Sequence, residues 1–181
     1  MFKSTLMAMA LALGASLAAR SAPVFEQPLL ITSAGQSADA QLAAVLARKA
    51  GLKADLVKMA GPKELAGHKT LVLVLGASMK GLGAAGLDTA KEKDRIKSLL
   101  AAAKSQRIPV LCLHLGGEAR RGELTDGMVA EYLPSAMAAI VVKSGDKDGL
   151  FERICRENGI PLTEVPKTLD AVEPLKTAFA K

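Results

Sequence analysis

Short, unbroken apolar runs recur along the chain, separated by longer stretches in which apolar residues return every three or four positions. The clearest run is Leu71 to Leu75, set between Thr70 and Gly76. A run this short, without polar alternation, predicts a strand buried on both faces of a parallel sheet. Leu29 to Thr32, Leu56 with Val57, Ile108 to Leu115 and Ala138 to Val142 predict four more strands. Pro161 to Val165 predicts a sixth at the sheet edge, where flanking prolines are tolerated.

The intervening stretches read as helices. Leu42, Val45 and Leu46 fall at helical spacing, with Ser37 expected as N-cap, Asp39 in the first turn and Gly51 as the stop. Gly61-Pro62 starts a loop or a single helical turn. Asp88 is expected to cap a helix whose inner face is Ile96, Leu99, Leu100 and Ala103, running to about Ser105. A shorter helix is expected near Met128 to Leu133. Another follows Asp148 through Leu150, Phe151 and Ile154 to Asn158-Gly159, and a last runs from about Leu169 to Ala180. Strands and helices in this alternation predict a three-layer α/β fold built on a doubly wound parallel sheet, ordered 2-1-3-4-5 with the sixth strand beside the fifth. One domain is expected over residues 23–181.

The amino terminus breaks this pattern. Lys3 is followed by an apolar stretch from Leu6 to Ala19, broken only by Gly14 and Ser16, and then by small residues. This predicts a signal peptide over residues 1–22 and export to the periplasm or the extracellular space. The apolar stretch is shorter than the roughly 20 residues a membrane span needs, so no span is expected after processing. The net charge of +6 is carried by scattered residues. The densest basic patch, Lys91, Lys93, Arg95 and Lys97, alternates with Glu92 and Asp94 and reads as a solvated helix face. With aromatics at 3% and no basic stripe, nucleic-acid binding is not expected. Cys112 and Cys155 both sit in apolar surroundings and read as small buried hydrophobes, although export would permit a disulfide.

The chemistry should gather where the strands end. After Leu75 comes a glycine-rich stretch, GASMKGLGAAG, expected as a pliable loop at the carboxyl edge of the sheet, where open α/β sheets hold ligands. Gly81 to Gly86 matches GxGxxG, but five residues separate Leu75 from Gly81 and no acidic residue ends the next strand, so a dinucleotide fold is rejected. The Walker pattern fails for want of a Gly-Lys pair. Lys80, His114, Gly116, Gly117, Arg120 and Arg121 are expected on the same rim, the two arginines forming a candidate clamp for a carboxylate or phosphate. His68 is placed at the opposite end of the sheet, which argues against a two-histidine metal site. Ser78 misses the GxSxG elbow because Lys80 stands where glycine is required. A Ser78–His114 relay with Asp39 or Asp146 is the hydrolase alternative.

The first turn, TSAGQS, resembles the hydroxyl-and-glycine phosphate loop of flavodoxins, with Ser33, Gly35, Gln36 and Ser37 in comparable places. That resemblance implies a flavodoxin-like fold and an anion at a helix start. It does not extend to a flavin, because the loops over 76–87 and 116–122 hold no aromatic residue, and no cofactor is expected. Over the whole chain, TSAGQS, LGASMKGLGAAG, the Gly116-Gly117 turn and NGIPLTEV together resemble an uncharacterised family of secreted bacterial proteins, a domain of unknown function. The resemblance implies export and a compact α/β domain and supplies no catalytic residues. The combined expectation is an exported protein that binds a small anionic ligand through Ser33, Gly35, Gln36, Ser37, Ser78, Lys80, Gly81, His114, Gly116, Gly117, Arg120 and Arg121. An envelope protein-interaction module is the alternative outside ligand binding.

Overall fold

A computed structural model describes residues 25–179, so the expected signal peptide lies outside the described residues. Six parallel strands form one sheet: β1 (Leu29–Ala34), β2 (Ala54–Leu56), β3 (Thr70–Leu75), β4 (Val110–His114), β5 (Ala138–Val142) and β6 (Leu162–Val165). Their order is β2-β1-β3-β4-β5-β6. It reverses between β1 and β3, as in the flavodoxin-like arrangement expected from the sequence. Helices α1 (Asp39–Lys49), α2 (Met79–Ala84), α3 (Thr89–Ser105), α4 (Glu123–Tyr132), α5 (Leu150–Asn158) and α6 (Val172–Ala178) connect or close it.

Alternate side chains of β1, β3, β4 and β5 feed two cores. Leu71, Leu73 and Leu75 of β3 pack with Cys112, the α3 residues Ile96, Leu99 and Ala103, and Tyr132 and Phe151. Val72 and Val74 face the other way, with Ile31, Leu111, Leu113, the α1 residues Ala43 and Leu46, and Leu175 of α6. Every residue of β3 is buried. A strand covered on both faces has no polar side to show, which is why its sequence carries no alternation. Cys112 and Cys155 are both buried and free.

Several local expectations are corrected. The glycine-rich stretch after β3 is not a loop: Ser78 accepts the Gly81 N–H at 3.1 Å and starts α2. Helix α1 begins one residue later than expected, with Ala38 rather than Ser37 at its N-cap, and Val45 is 36% exposed rather than on the inner face. Small residues form that face instead, Ala40, Ala43 and Ala47 with Leu46, bringing the helix close to the sheet. Strand β2 ends at Leu56 and β4 is shorter at both ends than expected, whereas α4 begins at Glu123, five residues before Met128. Residues Thr168–Ala171 form a 3-10 turn ahead of α6. Asp88 caps α3 as expected, accepting the Lys91 N–H at 2.7 Å, and Gly159 ends α5 in the left-handed conformation.

Candidate functional site

At the reversal in strand order, the loops after β1 and β3 bond to each other. Gly35, at φ +102°, lies so close to the β3 loop that a Cβ would stand 2.5 Å from Ala77 Cα. Gln36 forms an isolated antiparallel bridge with Ala77, the Ser78 N–H donates to the Gly35 carbonyl at 2.8 Å, and Gly81 presses on the Gln36 carbonyl. Gly35, and Gly81 in the first turn of α2, therefore serve close backbone approach.

The TSAGQS turn does bind an anion, and that anion belongs to the chain. Glu92 of α3 is fully buried and accepts the Gly35 N–H at 2.8 Å. Gln36 Nε2 donates to both of its oxygens, at 3.2 and 3.3 Å. Arg95 Nε and Nη2 reach the same carboxylate at 2.8 Å, while the guanidinium also donates to the carbonyls of Ala60 at 2.7 Å and Ser33 at 2.6 Å. Glu92 and Arg95, expected on a solvated face, are thus internal. The signal was present in the spacing, since Glu92 is four, seven and eleven positions ahead of Ile96, Leu99 and Ala103.

His114 is also fully buried. Its Nδ1 stands 2.9 Å from the Leu75 carbonyl and its Nε2 3.1 Å from that of Gly117, with the ring 4.9 Å from Phe151. Ser78 Oγ is engaged with Gly81. The Ser78–His114 relay is not formed, because each side chain has other partners on the protein backbone.

The two adjacent arginines part company. Arg121 turns inward, bonding Asp126 at 2.6 Å, Asp148 through two nitrogens at 2.9 and 2.8 Å, and the Gly145 carbonyl at 2.5 Å. These carboxylates raise the pKa of its guanidinium further, and Arg121 holds the Asp148 carboxyl well below its ordinary range, at about 2. Arg120 instead lies along Gly116, with Nε 3.4 Å from either oxygen of Asp39. Asp39 is buried and its Oδ2 accepts no hydrogen bond from the described residues. Gly76 and Gly116 make room for that carboxylate: a Cβ would stand 3.2 Å from Oδ2 at Gly76 and 2.5 Å from it at Gly116. Ser37 Oγ, which accepts the Asp39 N–H at 3.3 Å, borders the same space. The Ser33 hydroxyl is buried without a partner among the described residues. Lys80 is exposed.

Charge on this rim is unevenly spent. In the loops after the strands, Glu118 pairs with Lys147, Asp148 with Arg121, and Asp146 accepts the N–H groups of Phe151 and Glu152. The side-chain ammonium groups of Lys58, Lys143 and Lys167, on the loops after β2, β5 and β6, form no ion pair among the described residues, nor does that of Lys80. The two Nη atoms of Arg120 are likewise unpartnered. Among the described residues no group of three or more His, Cys, Asp or Glu side chains is arranged to hold a metal ion, and no helix is long and apolar enough to cross a membrane.

No curated protein matches the chain. Among solved structures, a serine-to-alanine mutant of the esterase AlinE4 is 16% identical, covering 84% of this chain and 82% of that one, at a TM-score of 0.30. An aspartate-to-alanine mutant of the same esterase is 14% identical, covering 81% and 78%, at 0.31. AlinE4 itself, titled a SGNH-hydrolase family esterase, is 16% identical, covering 80% and 77%, at 0.30. Likeness at this level transfers no activity. The family match is of another order: it runs over residues 26–179, nearly the whole described chain, and by it the protein belongs to the family described as domain of unknown function DUF6305.

Proposed function

We propose that this protein is an exported binding domain that captures a small molecule bearing a phosphate or carboxylate at the carboxyl edge of its sheet, with Arg120 as the anchor. One observation carries the proposal. Asp39 holds the guanidinium through Nε and leaves both Nη atoms without a partner among the described residues, an arrangement that orients a planar two-donor fork for an oxyanion. The surrounding rim supports it, because its loop carboxylates are engaged while the ammonium groups of Lys58, Lys143 and Lys167 form no ion pair among the described residues. Export rests on Lys3 and the apolar stretch from Leu6 to Ala19.

The test is a backbone-amide NMR titration with inorganic phosphate and with succinate. Shifts at Gly116, Gly117 and Arg120 are expected, and an Arg120→Ala variant shown to be folded by circular dichroism should lose them. Arg120→Lys keeps the charge without the fork and is expected to bind more weakly than the wild type. If neither anion perturbs those amides, the proposal fails.

A second reading, an interaction surface for another envelope protein, is favoured by three exposed side chains beyond strand ends: Met59 at 50%, Met79 at 69% and Leu169 at 62%. Replacing all three with serine should abolish partner capture if that reading holds, while leaving the anion titration unchanged.

A further inference from the structure

The opposite end of the sheet holds a cavity of about 510 Å³ between Lys69, which precedes β3, and Arg107, which follows α3. Glu26, Ile108, Pro109 and Met137 complete its wall. A second cavity of about 380 Å³ shares Ile108, Pro109 and Met137 and continues toward Leu100 and Lys104, so the two form one elongated depression. Its volume is that of an ordinary small-molecule site. Lys69, Lys104 and Arg107 have no acidic partner among the described residues, and Met137 is 48% exposed.

Arg107 draws attention to this place for a separate reason. It follows the α3 C-cap with φ at +57°, its N–H bonded to the Lys104 carbonyl at 3.1 Å and the Ile108 N–H to that of Ala103 at 2.8 Å. Glycine is the usual residue at that position, since a side chain there strains the left-handed backbone. An arginine held against that preference puts a guanidinium on the cavity wall, and a residue kept in a strained conformation is a pointer to function.

We propose that this depression is a second binding site, independent of the Arg120 rim, for a small amphiphilic anion. A carboxylate or phosphodiester head lies between Lys69 and Arg107, and a short hydrocarbon body rests on Ile108, Pro109 and Met137. Glu26 on the same wall selects a singly charged head, because a multiply charged ligand would meet its carboxylate as well as the cations.

Octanoate, acetate and phosphatidylglycerol vesicles test the proposal on the protein without its leader. Octanoate, kept below its micelle concentration, is expected to bind and to shift the amides of Ile108 and Met137. Acetate, lacking the hydrocarbon body, should bind at least tenfold more weakly. Lys69→Ala and Arg107→Gly should each weaken octanoate binding, read at the Ile108 and Met137 amides, about tenfold, whereas Arg120→Ala should leave the shifts at those two amides unchanged. Because Arg107→Gly relieves the backbone, its melting temperature should hold or rise, which separates loss of the ligand from loss of the fold. Absence of octanoate-dependent shifts at Ile108 and Met137, or full affinity in Arg107→Gly, overturns the proposal. Vesicle co-sedimentation without octanoate binding overturns it in favour of a lipid surface.

Discussion

Glu92 accepts the backbone N–H of Gly35 at 2.8 Å across 57 positions of sequence, tying the middle of the chain to the first loop. Removing its carboxylate leaves Arg95 charged, only 12% exposed in its side chain, and without its counter-ion. Glu92→Ala should therefore cost about 3–5 kcal/mol, the range for breaking one half of a buried ion pair. Urea denaturation measures it. A Glu92→Ala/Arg95→Met double variant should recover part of that loss, since no charge is then stranded.

Two glycines should respond to alanine in opposite directions. A Cβ at Gly116 would meet Asp39 Oδ2 at 2.5 Å and the stem of Arg120, so Gly116→Ala should displace both, weaken anion binding and cost about 1–3 kcal/mol. At Gly83, inside α2, an added Cβ finds nothing within 4 Å. Gly83→Ala should stabilise the protein by about 0.5–1 kcal/mol. Paired denaturation curves and phosphate titrations check both.

How far the sequence revealed this fold depends on which residues carry each feature. The sheet was legible because β3, β4 and β5 are apolar runs that admit no other burial, and the reversal followed from the alternation of strands and helices. Glu92 and Arg95 misled because charge alternation on α3 suggested solvent, although both share a face with Ile96 and Leu99. Composition cannot show that a buried loop amide needs a carboxylate. The Arg120-Arg121 pair was legible as a place of interest, but not as two roles. That division depends on Asp126, Asp148 and Asp39, which reach it from three separate segments.

Asp148 supplies a pH dependence. Arg121 lowers its carboxyl to about 2 in the folded chain from an ordinary 3.8, so the folded state binds the proton more weakly than the unfolded one. The pair's contribution is present above about pH 4 and is lost as pH falls toward 2. The Asp148 side chain is 61% exposed, so solvent screening keeps the effect small. Asp148→Asn should lower stability at neutral pH and flatten the acid limb of a stability-against-pH curve over that window.

The two cysteines should behave as core. Burial raises the Cys112 thiol pKa, and it raises that of Cys155 to about 11, so neither supplies thiolate near neutrality. A thiol-reactive dye should label neither in the native protein and both after denaturation.

The central claim is that Arg120 anchors an anionic ligand on the carboxyl edge of the sheet. Native mass spectrometry of the protein, purified gently from the cells that express it and compared with the denatured chain, tests it most directly. The account predicts an excess mass that is lost on denaturation and absent from Arg120→Ala, but retained in Lys69→Ala. A native mass equal to that of the bare chain, or an excess that persists in Arg120→Ala, would contradict it.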